Sequence, residues 1–308
     1  MTSSTWDQLP VELEREIFEW AVTDRDAKQP IRTAKSLSLV CRRIRSWMDC
    51  IIYGHIFLDS EDSFSKFLRT FRARDKEFFR LRVHSLGIYH TADNTAQDTA
   101  EIIETCSNIH SLWWLPRKGK NDDWPKFLKS HPNLQMISIL HRDLTIALSS
   151  EPSYHPWRQS LQTLDMSADY AHEFDFTAFP NLTIVSLFSH FFRNYEESFC
   201  SVLLLILAKV PFLECLILGV DGPEVYEASK DFDLASARST LSFITEGRIH
   251  DPRLIVIPML TFSLWKQDVT GEKSYWDQAL LTVQTQREAL SNDRNSSGVC
   301  EDGSDLVH

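Results

Sequence analysis

Six times along the chain one short pattern returns: an apolar residue, two of any type, a second apolar residue, one of any type, and a third apolar residue. It falls at Val83, Leu86 and Ile88; at Ile109, Leu112 and Trp114; and at Leu134, Ile137 and Ile139. It falls again at Leu161, Leu164 and Met166; at Leu182, Val185 and Leu187; and at Leu213, Leu216 and Leu218. The last two apolar positions of each set stand two apart, the period that places side chains on one face of a strand. Successive sets begin 21 to 31 residues apart, room for one strand and one return segment. A unit so small cannot bury its apolar face alone, so it must stack on its neighbours. Tyr53, Ile56 and Leu58 before the array, and Leu254, Ile257 and Met259 after it, fit as terminal strands.

The segments "QDTAEIIETCSN", "DWPKFLKSH" and "ESFCSVLLLILAKV" each read as a helix before the next strand. "HPNL" at His131, "FPNL" at Phe179 and "VPFL" at Val210 share a proline that stops the helix and turns the chain into the strand. The array resembles leucine-rich repeats, and the resemblance implies a solenoid with parallel strands on one side and helices on the other. An ordinary α/β sheet built from crossover units is the alternative. In a repeat strand Trp114 should face the core and its neighbour Trp113 the opposite, concave surface. That makes Trp113 the candidate target-binding residue. Between Asp221 and His250 the pattern lapses; Gly222 and Pro223 form a turn, and Leu234 to Ile244 reads as one longer helix.

The N-terminal stretch is of another kind. In "LPVELEREIFEWAV" Pro10 suits a first helical position, Glu12 favours the first turn, and Leu13, Ile17, Phe18, Trp20 and Ala21 recur at helical spacing. "TDRDAKQP" is a polar break. Beyond it Leu37, Val40, Ile44, Trp47 and Met48 again stand three and four apart. Two or three short helices between Trp6 and Tyr53 follow, too small to be stable alone. The basic cluster "CRRIR" at Cys41 to Arg45 reads as the solvated face of one of them.

Leu9, Pro10, Glu12 and Leu13 with Ile17 and Phe18, then Leu39, Val40, Cys41, Arg42 and Arg43 ending at Trp47, resemble an F-box. The start of the motif resembles the divergent F-boxes of mushroom-forming fungi. The resemblance covers about one-sixth of the chain and implies a Skp-type adaptor as partner, bridging to a cullin–RING ubiquitin ligase. By position in the motif, Leu9, Pro10, Leu13, Ile17, Phe18, Leu39 and Val40 would supply the adaptor contact.

Composition narrows the remaining classes. A chain that is 43% hydrophobic has a core to build, and a net charge of −11 disfavours nucleic acid and anionic membranes as partners. The six cysteines form no CxxC pair and read mostly as small buried residues. "MTSSTWDQLP" has no signal-peptide pattern, which points to an intracellular site, cytoplasmic or nuclear. "VLLLILAKVPFLECLILGV" is apolar enough to suggest a span, but Lys209, Pro211 and Glu214 interrupt it. A helix ending near Lys209, a turn and a strand are expected instead. No GxGxxG, GxxxxGK, GxSxG or HExxH occurs, and the histidines show no ligand spacing. His110 and His131 read as turn or surface residues. No catalytic residue, metal site or cofactor is expected.

The fold class expected is α/β: a short N-terminal helical F-box followed by an irregular leucine-rich-repeat-like strand–helix solenoid. The boundaries are 5–53 for the helical module, 54–280 for the repeat-like domain and 281–308 for a polar, disordered tail. The function expected is that of a non-enzymatic substrate receptor, binding the adaptor through its N-terminal helices and an unknown target protein through its repeats. The alternative is a ligase-independent scaffold whose N-terminal helices cap the solenoid. The two differ on whether Leu13 and Ile17 are free for a partner or buried within the chain.

Overall fold

A computed structural model describes residues 9–23, 30–89, 96–114, 128–139, 155–189, 196–220, 249–258, 261–271 and 275–297. These hold an α/β fold with eight strands in one sheet, ordered β1 to β8 as in the sequence. Contacts divide the chain into two compact units, Met1–Ser111 with Pro116–Gly119, and Leu112–Leu115 with Lys120–His308. The division does not fall at the expected boundary after residue 53. The N-terminal helices instead share a unit with the first two strands, because α3 runs directly into β1 with no linker between them.

The first unit opens with α1 (Val11–Thr23), α2 (Pro30–Leu37) and α3 (Arg42–Gly54), followed by β1 (His55–Leu58), α4 (Glu61–Ala73), α5 (Lys76–Arg82), β2 (Ser85–Ile88) and α6 (Ala96–Thr105). Helix α4 begins where Ser60 and Ser63 form a reciprocal capping box, and α5 where the Asp75 carboxylate accepts the Glu77 N–H at 3.0 Å. Phe67 and Phe71 of α4 meet Phe79 of α5 in a buried aromatic cluster; Phe71 and Phe79 lie 5.1 Å apart between ring centroids. Strands β1 and β2 pair in parallel with Ile56 opposite Leu86 and Leu58 opposite Ile88, the register that the recurring pattern predicts.

The second unit carries β3 (Ser111–Trp114), β4 (Met136–Ile139), α7 (Pro156–Ser160), β5 (Thr163–Ser167), two 3-10 turns (Ala168–Glu173 and Phe176–Ala178) and β6 (Ile184–Ser189). Then follow α8 (Glu196–Lys209), β7 (Cys215–Val220), β8 (Leu254–Pro258), α9 (Phe262–Val269) and α10 (Tyr275–Ser297). Strands β4 to β8 pair in parallel, each with the next. Leu164 stands opposite Ile137 and Val185, and Val185 opposite Leu216, so the second apolar position of each pattern forms a continuous row.

Proline turns lead into four of the strands, β4, β6, β7 and β8. In the turns from His131, Phe179, Val210 and Asp251, the N–H three residues on (Leu134, Leu182, Leu213 and Leu254) donates to the first residue's carbonyl. The second position of each turn is proline, whose fixed φ suits it there. The fourth turn gives a different outcome from the expected one. Leu254 pairs with Leu216 rather than Leu213, which moves β8 three residues along its neighbour. Arg253 accounts for the seat of this turn: its guanidinium binds Asp251 and donates to the Leu207 carbonyl at the end of α8 at 3.0 Å.

The long apolar stretch divides as expected into α8, a turn at Pro211 and Phe212, and β7. Among the described residues no helix is long and apolar enough to cross a membrane. The C-terminus departs from expectation: α10 continues to Ser297, with Tyr275, Trp276, Ala279 and Val283 buried along one stripe. The helices expected over 123–131 and 234–244 lie wholly or largely outside the described residues, as does the segment after Ser297.

Candidate functional site

The three N-terminal helices have a complete core of their own. Val22, Ala34, Ile44 and Met48 are buried together, and Phe18, Leu37, Trp47, Ile51 and Ile52 pack around them. The start of α1 is set by Pro10, whose carbonyl accepts the Glu14 N–H at 3.0 Å; the helix begins at Val11, so Pro10, expected at the first helical position, stands one residue before it. Glu14, nearly buried, pairs with Arg43 of α3 at 2.5 Å, and the Arg43 guanidinium lies 5.7 Å from the Trp47 ring centroid. A charged clasp and an aromatic contact thus fix α1 on α3.

With the inner side filled, a second apolar stripe remains on α1. Leu13, Ile17 and Trp20 stand four and three residues apart. At 100° per residue they point away from the side that carries Phe18 and Val22. Leu13 is 47% exposed, Ile17 45% and Trp20 70%. A helix packed on one side only needs one apolar stripe; the outer one has no use inside this unit. Between α2 and α3, the Leu39 and Val40 N–H groups donate to Ser36 and Leu37 carbonyls, and this tight turn holds both side chains outward. Leu39 is 86% exposed and Val40 62%.

Of the seven residues proposed for the adaptor contact, Pro10, Leu13, Ile17, Leu39 and Val40 are exposed, Leu9 is half-buried, and Phe18 is half-buried against the core. Phe18 lies 6.4 Å from Trp47 between ring centroids and acts chiefly as packing. Trp20, Val11 and Ile31 are exposed apolar residues that the motif did not single out. The signal for Trp20 was present in its spacing from Leu13 and Ile17. Arg42, Arg43 and Arg45 are exposed around buried Ile44, as a solvated face requires.

The second unit contains a different kind of site. Trp113, expected on an open surface, is 2% exposed and lies 5.7 Å from Trp265 of α9 between ring centroids. Every residue of β5 is buried, so both faces of that strand are covered. Trp113 is therefore a core residue, and its candidacy as a target-binding side chain, which depended on exposure, lapses. In the same pattern position on the next three strands stand Ser138, Asp165 and Ser186, at matching register. Ser138 Oγ donates to Asp165 Oδ2 at 2.5 Å. Burial pushes the Asp165 carboxyl from 3.8 up to about 7, against the pull of the Ser138 and Ser186 hydroxyls towards the charged form. Ser186, opposite Asp165 on the neighbouring strand, completes this buried polar group. The lone acidic residue between Leu164 and Met166 was the sequence signal for this group.

No family model, curated protein or solved structure matches this chain. Function must be read from the two sites themselves. Among the described residues no group of three or more histidine, cysteine or acidic side chains could hold a metal ion. His131 is a turn residue as expected, yet it is fully buried. Cys106, Cys200 and Cys215 are buried thiols, whereas Cys41 and Cys50 are exposed.

Proposed function

We propose that this chain is the substrate-recruiting F-box subunit of a cullin–RING ubiquitin ligase, working in the cytoplasm or nucleus. Its N-terminal helices bind a Skp-type adaptor, and its repeat-like second part captures a target protein. The observation that carries this reading is the exposure of Leu13, Ile17, Leu39 and Val40 beside a core that is already closed. Were these helices merely a cap on the solenoid, Leu13 and Ile17 would be covered by the chain itself. Each such side chain supplies roughly 1.5–3 kcal/mol when fully buried, so four on one rigid unit suffice for a stable contact. Strand order and the in-line register of β4 to β7 support the leucine-rich-repeat-like solenoid for the second part. The chain itself performs no bond chemistry; it holds the target near the ubiquitin-loaded enzyme at high effective concentration.

A pull-down of purified Skp-type adaptor with the wild-type chain and with Leu13→Asp/Ile17→Asp tests this. Retention by wild type, lost by at least about 100-fold in a variant with unchanged circular dichroism, is expected when central apolar anchors are charged. Failure of the folded wild type to retain adaptor would put the ligase-independent scaffold in its place.

A further inference from the structure

Three arginines open α3, but only Arg43 has a partner among the described residues. It binds Glu14 and lies against the Trp47 ring. Arg42 and Arg45 are exposed, and no acidic side chain pairs with either among those residues. Local structure gives no reason for them. The N-cap of the helix, Cys41, makes no side-chain hydrogen bond, and cations at the positive end of a helix dipole are disfavoured.

These charges border the exposed apolar residues. Leu39 and Val40 stand in the turn that leads into α3, just before Arg42. Glu14, held by Arg43, is the neighbour of Leu13 on α1, so the ion pair brings the start of the outer α1 stripe to the same end of α3. The stripe's other flank is acidic. At about 100° per residue, Glu14 falls on one side of Leu13, Ile17 and Trp20, and Glu12 and Glu16 on the other. Glu12 and Glu16 are exposed and, among the described residues, unpaired. Arg15, which lies between them in sequence, is turned to Glu19 at 2.7 Å. The apolar surface thus has a basic end and an acidic flank.

We propose that this polarity selects the adaptor and sets its orientation: the partner face that covers Leu13, Ile17, Leu39 and Val40 presents carboxylates to Arg42 and Arg45 and basic side chains to Glu12 and Glu16. As a property of the adaptor contact, this charge pattern rests on the receptor reading above and adds the chemistry of the partner's face. A second copy of this chain is the less suitable occupant, because each carries a net charge of −11 and the two repel. The same net charge slows the approach of an acidic face, and Arg42 and Arg45 offset it locally. Charges on the rim of an apolar contact act mainly on the rate and orientation of encounter, whereas the apolar anchors set how long the complex lasts.

Association and dissociation rates of the full chain with purified Skp-type adaptor, measured by surface plasmon resonance from about 50 to about 500 mM salt, test this. Arg42→Glu/Arg45→Glu should slow association by at least about tenfold at the lowest salt. Glu12→Lys/Glu16→Lys should slow it too, although it brings the chain's net charge nearer zero. Both effects should shrink as salt rises. Arg69→Glu, a reversal on the exposed side of α4, should change the rate by less than about twofold. Because glutamate suits the first turn of a helix, Arg42→Glu/Arg45→Glu should leave the urea midpoint unchanged or raised, which separates a contact role from a structural one. The charge pattern is overturned if wild type binds and either double reversal leaves association unchanged or faster at low salt, an outcome that spares the adaptor reading. It is equally overturned if the chain alone sediments as a dimer that Arg42→Glu/Arg45→Glu dissolves, since a second copy would then be the occupant. Failure of the folded wild type to bind at all would sink the adaptor reading itself, and this pattern with it.

Discussion

Asp165 and Ser138 face each other across β4 and β5 at the same register, both fully buried and joined by a hydrogen bond of 2.5 Å. The shape of the pH–stability curve follows from that burial. Asp165 has a folded pKa of about 7 against 3.8 ordinarily, so the folded state binds the proton more tightly than the unfolded one. Its stabilising effect is fully present below about pH 4 and is lost as pH rises through 7. The full span is on the order of 4 kcal/mol. Asp165→Asn should flatten the decline in urea midpoint between pH 5 and 8. An unchanged slope would show that another group is responsible.

The first unit should respond to acid in the opposite sense. The His84 and His110 rings stack 5.6 Å apart at 26°, and His55 at the start of β1 lies within the electrostatic reach of His84. Burial first, and the neighbouring imidazole second, hold His55 and His84 below the usual histidine range. Depressed pKa values give stability that is present above pH about 6.5 and lost as pH falls through the folded values. Amide exchange of the β1 and β2 peptides should accelerate between pH 7.5 and 5 after correction for the intrinsic rate. His84→Asn should weaken that dependence by removing the facing charge.

Much of this was legible locally. Proline turns and the spacing of Leu164, Val185 and Leu216 fix each strand against the last, and both are short-range signals. The outer stripe of α1 was legible for the same reason, since Leu13 and Ile17 repeat at helical spacing. Trp113 was misread because its cover comes from Trp265, far along the chain, and nothing near Trp113 encodes a helix above it. The part of α10 beyond residue 280 was read as a tail because Val283 is the one buried side chain there among the described residues, set among polar neighbours. The shifted register of β8 depends on Arg253 reaching the Leu207 carbonyl, a tertiary contact with no local trace.

The two sides of the N-terminal helices should separate cleanly by mutation. Met48 is fully buried in the small core, and Met48→Ala should destabilise it by about 2–5 kcal/mol. Ile17→Asp, on the outer stripe, should stay within about 1 kcal/mol of wild type, mostly helix propensity. Urea titrations followed by exchange of α1 and α3 amides would compare them. Equal destabilisation by both would mean that Ile17 is packed within the chain and not free for an adaptor.

Trp113 offers the sharpest test of the covered sheet. A tryptophan on a free binding surface can be truncated with little effect on folding, whereas one packed on Trp265 cannot. Trp113→Ala should cost about 3–5 kcal/mol through the cavity left beneath α9, and Trp113→Phe distinctly less. Because Trp265 contributes the facing ring, the double variant Trp113→Ala/Trp265→Ala should be less destabilised than the sum of the single changes, by about 0.5–1.5 kcal/mol for the lost ring–ring contact. Additive losses would mean that the two rings are near each other without supporting each other.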